Sequence, residues 1–296
     1  QGNAAKWRCF APCVLSLEED MPFKTILSIL GEHGIENDMQ VAMKLCGEVR
    51  AHLSALLVAM SRVPTGRYET LSPSWLEARD HNLQKLTERV SMLRERLTGA
   101  ELSFDVDSLY AEVAGPGYDI GERALYADLV LAGPGVFGSE ELKSQVVSGG
   151  LFQAGRPILF VPPDVNATLR PKMILLAWDS RPSAAHASRH ALEMMKMAQS
   201  VHVTMVDPVA AARASGDEPG ADVATYLARH GINVTVATLS SSSRSVTETL
   251  LRHALDINAD MMVMGAYGHS KLLELILGGV TKSMLKEANL PILMAH

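Results

Sequence analysis

One unit is written twice along this chain, and that constrains its fold more than any other feature. Lys24-Thr-Ile-Leu-Ser-Ile-Leu30 and Lys172-Met-Ile-Leu-Leu-Ala-Trp178 stand about 150 residues apart. Each is a short apolar run preceded by lysine and followed by helix-forming sequence. Asp128-Leu-Val-Leu-Ala-Gly133 is matched by Asp260-Met-Met-Val-Met-Gly265, and Pro157-Ile-Leu-Phe-Val161 by Pro291-Ile-Leu-Met-Ala295. Three pairs in the same order, with the same flanking residues, identify a duplication, so both halves should share one architecture.

The second copy is the easier to parse. Strands are expected at 172–178, 201–206, 232–238, 260–264 and 291–295, each a short apolar or β-branched run of the kind buried on both faces. Helices are expected at 183–199, 220–230, 244–257 and about 279–289, the last stopped by Pro291. Strands alternating with helices imply right-handed βαβ units and an open parallel sheet. The first copy follows the same plan, with strands at 53–60 and 101–104 separated by a long helix from about Pro73 to Thr98. Leu76, Leu83, Leu86, Val90, Leu93 and Leu97 give that helix one apolar stripe, best used by packing on its own sheet.

The fold class is therefore α/β: two tandem open parallel five-stranded sheets with flanking helices, Rossmann-like. Domains are expected at 21–163 and 171–296, joined through the proline-bounded linker 163–171. The two last strands should pair about a pseudo-twofold axis, since each would otherwise leave an exposed sheet edge.

Composition narrows the function classes. A chain of 296 residues that is 47% hydrophobic and 20% charged has material for two cores. The net charge of −6 favours neither nucleic acid nor an anionic membrane as partner. Residues 1–168 carry 15 basic and 22 acidic side chains, whereas 169–296 carry 12 and 11, so the second half is the easier host for an anion. Cys9, Cys13 and Cys46 are too few for a disulfide framework and read as reduced thiols in a cytoplasmic protein. No apolar run approaches the ~20 residues of a membrane-spanning helix. Residues 1–20 read as an extension: Lys6 and Arg8 before Cys9–Leu17 loosely imitate a secretory signal, but no cleavage site follows and Glu18-Glu19-Asp20 closes the stretch.

The chemistry concentrates in the second copy. Met264-Gly265-Ala-Tyr-Gly268-His269-Ser270 follows a strand, and Gly278-Gly279-Val280-Thr281 opens a helix. In an open parallel sheet, ligands bind beyond the carboxyl ends of the strands. Glycines let a backbone approach phosphate closely, a helix start offers unpaired N–H groups, and Thr281 adds a hydroxyl. A glycine turn also serves a tight strand-to-helix connection with no ligand at all. Asp179, directly after the first strand of this copy, can accept hydrogen bonds from ribose hydroxyls; with Ser180 it can equally cap the helix beginning near Pro182.

Other constellations point nowhere specific. The ten histidines show no metal spacing. His269 and Ser270 lack an orienting carboxylate and read as loop surface. Ser240 to Ser243 read as a flexible loop near the same end of the sheet, and Met261, Met262 and Met264 as strand core. No G-x4-G-K-[ST] loop is present, nor the S-G-G-x-D-S loop of ATP-pyrophosphatases.

The G-x2-G-x9-G pattern, the aspartate after the first strand and the terminal Pro-Ile-Leu-Met strand together resemble the universal stress proteins. The resemblance covers about 22–296 as a tandem pair and is sharpest across 260–295. It implies the adenine-nucleotide alpha-hydrolase-like fold and, in the ATP-binding branch, a site in which Gly265, Gly268, Gly278, Gly279, Val280 and Thr281 surround phosphates and ribose. Asp179 would meet the nucleoside, with Ala177 and Met205 near the adenine and Met264 at the strand end. Gly279 departs from the family's usual Ser or Thr, which removes one hydroxyl contact unless Thr281 supplies it.

In the first copy Gly31 stands at the position of Asp179, Val136 at that of Gly268, and Ser144 near that of Gly278. Pro134 also removes an amide donor from the turn. This half reads as a degenerate partner that keeps the fold and lacks the nucleotide loop. The resulting expectation is a cytoplasmic stress-response protein binding ATP, or ADP or AMP, with or without Mg, in its C-terminal domain. It would act as a nucleotide-dependent regulator or sensor rather than as an efficient catalyst; slow ATP hydrolysis is compatible with this reading, but no general base stands out and it is not read as an enzyme. Its partners would be an adenine nucleotide and its own pseudo-dimer half, with a homodimer compatible, and neither nucleic acid nor membrane. The alternatives are a ligand-free interaction module of the same fold and a nucleotidyl-transfer or hydrolase enzyme, the latter disfavoured by the missing loops.

Overall fold

The computed structural model describes residues 23–60, 73–111, 116–208, 220–266 and 279–296. In the N-terminal half the elements run β1 (Thr25–Leu30), α1 (Ile35–Val49), β2 (His52–Met60), α2 (Pro73–Thr98), β3 (Phe104–Ala111), α3 (Pro116–Ala124), β4 (Leu129–Ala132), α4 (Pro134–Phe137) and α5 (Glu140–Val146). A π-helical stretch, Val147–Gln153, extends α5 before β5 (Ile158–Phe160). The C-terminal half runs β6 (Met173–Ala177), α6 (Pro182–His190), α7 (Leu192–Met197), β7 (Ser200–Val206), α8 (Ala221–Arg229), β8 (Val234–Leu239), α9 (Val246–Asp256), β9 (Met261–Gly265), α10 (Gly279–Glu287) and β10 (Ile292–Ala295).

The two expected sheets are one sheet of ten strands, in the order β3-β2-β1-β4-β5-β10-β9-β6-β7-β8. Within each half every pairing is parallel, and each half presents its strands in the same order outward from the joint. The joint itself is antiparallel, with Ile292 opposite Phe160, Leu293 opposite Leu159 and Met294 opposite Ile158. The last strands do pair, as the edge-protection argument requires.

The core continues across this joint on both faces. Leu159 and Leu293 join one buried cluster, and Ile158, Phe160, Ile292 and Met294 join the other. Successive residues alternate between faces, and both faces carry helices, so each position in these short strands must be apolar.

The duplicated lysine and aspartate have a physical reason to occur together. Asp128 Oδ2 accepts from the backbone N–H groups of Lys24 and Thr25 at 2.8 and 2.9 Å. Asp260 Oδ2 accepts from those of Lys172 and Met173 at 2.7 and 2.9 Å. In each half, one carboxylate ahead of the fourth strand satisfies two donors entering the first, which sets their register.

Three boundaries differ from expectation. The third strand lies at Phe104–Ala111, not 101–104. Residues 100–102 are still turning out of α2, with Leu102 N–H donating to Ala100 O. This strand is an edge: Val106 and Ala111 are buried while Asp105 and Asp107 face outward, so it lacks the continuous apolar run of an interior strand. The helix expected at 183–199 is two, broken at Ala191. In α2 only Leu86, Val90, Leu93 and Leu97 of the stripe are buried, and Leu76 is exposed. Its 26 residues span roughly 39 Å. The eight of β3 span roughly 27 Å, so the first turns overhang the sheet.

The linker is docked. Glu48 Oε2 accepts from Leu169 N–H and Thr168 Oγ1, both at 2.8 Å, and Leu169 is buried. Among the described residues no helix is long and apolar enough to cross a membrane.

Candidate functional site

An open cavity of about 290 Å³ lies at the carboxyl ends of β6, β7 and β9. From β6 the chain passes outward to β7, while β9 pairs with the opposite side of β6. That reversal in strand order is where doubly wound sheets open a crevice.

Its walls are built from six elements. Ala177, Trp178 and Asp179 run off the end of β6, and Arg181, Ser183 and Ala184 open α6. Thr204 and Val206 come from β7, and Val246 and Leu250 from one face of α9. Met264 and Gly265 end β9, and Gly279, Val280 and Thr281 open α10. Of the ten residues expected at a site, seven line this cavity: Ala177, Asp179, Met264, Gly265, Gly279, Val280 and Thr281. Gly268 and Gly278 lie outside the described residues, as do His269 and Ser270.

Met205 does not line the cavity. Strand alternation turns it to the far face of β7, where its methyl meets the position of Gly220, and its neighbours Thr204 and Val206 face the cavity instead. Val246 and Leu250, four apart on α9, were not expected there; their i, i+4 spacing is the available signal. Met261 and Met262 are fully buried strand core. Ser240 and Ser241 gather on Asp207 rather than the cavity, and their hydrogen bonds, led by those of Ser241, hold its carboxyl below the usual range.

The two glycines on the walls have different reasons to be glycine. A Cβ on Gly265 would lie 2.4 Å from the Ala184 nitrogen and 2.5 Å from the Ser183 carbonyl carbon, so the first turn of α6 needs its absence. A Cβ on Gly279 would meet nothing within 4 Å among the described residues, so protein packing does not demand a glycine there.

Asp179 does not cap α6. Its Oδ1 accepts from Arg181 N–H at 3.1 Å, an Asx turn, with Ser180 in the left-handed region at φ 62° and Arg181 at the N-cap position. Its Oδ2 stands 3.7 Å from Arg181 Nε, and both side chains are about half exposed. These are the two charged residues on the cavity wall. Thr281 is buried at the mouth of α10, and Thr247 Oγ1 donates to Val280 O at 3.5 Å, tying α9 to α10. No three His, Cys, Asp or Glu side chains among the described residues converge as a metal site.

The matching turn in the N-terminal half is packed differently. Strand pairing sets Ile29 opposite Ala132 and Ala177 opposite Met264, which puts Gly31 where Asp179 stands and Gly133 where Gly265 stands. Asp38 of α1 is fully buried against the turn at Gly133–Gly135, its Oδ1 accepting from Gly135 N–H at 2.7 Å. Its Oδ2 has no hydrogen-bond partner, and burial pushes the carboxyl up to about 7 against the pull of the Gly135 and Val136 N–H groups. Val136 is fully buried and Ser144 faces solvent on α5. Nearby, the Lys143 ammonium is buried and donates to Phe137 O, Glu140 Oε1 and, across the joint, Leu285 O on α10. Cys46, buried on α1, has its thiol pushed up to about 12 by burial.

A doubly wound parallel sheet with an open crevice at its switch point defines a class of α/β protein that binds ligands at that crevice. The C-terminal half is a domain of the universal stress protein family, whose model matches residues 171–296. The N-terminal half, with the same strand order, fits a second fold of that kind. A universal stress protein from Archaeoglobus fulgidus is similar over 91% of this chain and 95% of its own, at 17% identity and a TM-score of 0.63. A functionally unknown protein from Pseudomonas aeruginosa is similar over 93% and 92%, at 16% identity and a TM-score of 0.53. At such identities the likeness establishes the fold. No curated protein matches the sequence.

Proposed function

We propose that this chain binds one adenine nucleotide, ATP or its di- or monophosphate, in the cavity of its C-terminal half. There it acts as a cytoplasmic nucleotide-dependent regulator or sensor of the stress response. The observation that carries this reading is convergence: residues from β6, β9 and the start of α10, about 100 positions apart in sequence, meet around one crevice at the switch point. The arrangement suits the ligand. Asp179 can accept from ribose hydroxyls, the opening N–H groups of α10 attract an anion, and space is left over Gly279.

No catalytic step is assigned. Among the described residues, the carboxylate on the wall is Asp179, already engaged by Arg181 N–H, and no histidine lines the cavity. Magnesium, if it accompanies the nucleotide, would be held mainly by phosphate oxygens, as is usual for this ion.

Calorimetric titration of the full chain with ATP, ADP and AMP, with and without Mg, tests the reading. One site per chain supports it. Two equivalent sites overturn the assignment of the N-terminal half, and no binding of any of the three overturns the reading as a whole. One observation favours a ligand-free interaction module instead: Gly265 is already required by its contact with α6, so that glycine is explained without a nucleotide. Mass spectrometry of small molecules that co-purify with the protein separates the two.

A further inference from the structure

We propose that Arg181 makes this cavity selective for nucleotides over nucleosides by contacting the anionic end of the ligand, an assignment that rests on the nucleotide reading above. Among the described residues the cavity wall carries one cation, Arg181, and one anion, Asp179. They face each other, Nε to Oδ2 at 3.7 Å, with side chains 41% and 54% exposed. A pair this long and this wet contributes little, so it is exchanged at small cost when a better partner arrives for either group.

A nucleotide supplies both partners at once. Ribose hydroxyls donate to the carboxylate of Asp179, and a phosphate accepts from the guanidinium, whose planar fork matches phosphate geometry and gives charge-assisted hydrogen bonds. The main chain is arranged for this exchange. Asp179 Oδ1 holds Arg181 N–H at 3.1 Å, which fixes the backbone of Arg181 at the N-cap of α6 while leaving its side chain at the cavity. Neutral adenosine uses the Asp179 side of the exchange and gains nothing from Arg181. The phosphate-facing charge therefore comes from the turn between β6 and α6.

Titration of the full chain with ATP, AMP and adenosine, comparing wild type with Arg181→Ala and Arg181→Lys, tests this. Arg181→Ala is expected to weaken ATP roughly tenfold and AMP less, leaving adenosine within about twofold. Arg181→Lys, which keeps the charge and loses the fork, should fall between. Asp179→Asn, which releases Arg181 from its present partner, should raise the ratio of ATP to adenosine affinity more in the wild-type background than beside Arg181→Ala; a purely structural Arg181 would give the same rise in both. Equal weakening of ATP and adenosine by Arg181→Ala, or no weakening of either, overturns the assignment while leaving nucleotide binding intact. Binding of none of the three ligands by wild type overturns both.

Discussion

The two halves of this molecule are built on one strand order, yet each sets an acid in opposite surroundings beside its strand ends. In the C-terminal half the wall beyond β6 carries Asp179, half exposed and facing a cavity of about 290 Å³. In the N-terminal half the matching residue is Gly31, and a different acid, Asp38 from α1, is buried against the turn after β4. There the Gly135 N–H group already has a carboxylate for company. Duplication preserved the backbone, and a single inward acid on α1 takes up a donor of the N-terminal turn.

The largest expected effect concerns Asp38. Its carboxyl has been raised from 3.8 to about 7 in the folded chain. The folded state therefore holds a proton that the unfolded chain releases, and stability falls as pH rises from about 4 to about 7, levelling above that. The shift corresponds to about 4 kcal/mol. Urea unfolding of wild type and Asp38→Asn at pH 5 and pH 8 measures it. The variant should lose most of this slope, because the amide still accepts from Gly135 N–H and never ionises. A wild-type stability that rises between those pH values would break the comparison.

Next comes Gly265→Val, which drives a branched side chain into the backbone of Ala184 and Ser183. It should destabilise the fold by about 3 kcal/mol and abolish nucleotide binding together. Asp179→Ala should weaken nucleotide binding about tenfold, close to 1.4 kcal/mol, without weakening affinity for inorganic phosphate. Gly279→Ala is the smallest and sharpest: melting temperature unchanged, nucleotide affinity reduced, since the added methyl enters the cavity and meets no described protein atom. A fall in melting temperature there would mean that this glycine too serves packing.

Much of this was legible because both faces of the sheet are covered. Interior strands such as β4, β6 and β9 must be apolar throughout, so they stand out as runs, and the repeat of Asp128 and Asp260 marks equivalent places. The edge strand β3 did not stand out, since a strand with one neighbour can afford Asp105 and Asp107. In the site, positions fixed by motif spacing, such as Asp179 and Gly279, fell on the cavity wall. Met205 did not, because a shift of one residue along a strand reverses the face. Asp38 carried a signal that was passed over: it sits among Ile35, Met39, Ala42, Leu45 and Cys46 on the apolar side of α1, where an acid needs a reason.

The antiparallel joint between β5 and β10 sets how the two halves are placed. It reverses strand direction, so the carboxyl ends of the two sets of parallel strands face opposite edges of the sheet. The C-terminal cavity and the Asp38 turn therefore lie toward opposite ends of the strands. Helix α10 starts at the cavity with Gly279 and presents the Leu285 carbonyl to Lys143 at 3.2 Å. The same ammonium holds the Phe137 carbonyl, just past the Asp38 turn, at 2.9 Å. One buried ammonium thus clasps the last turn of α10 to the end of α4, so the two halves are tied by a shared cation as well as by their paired strands.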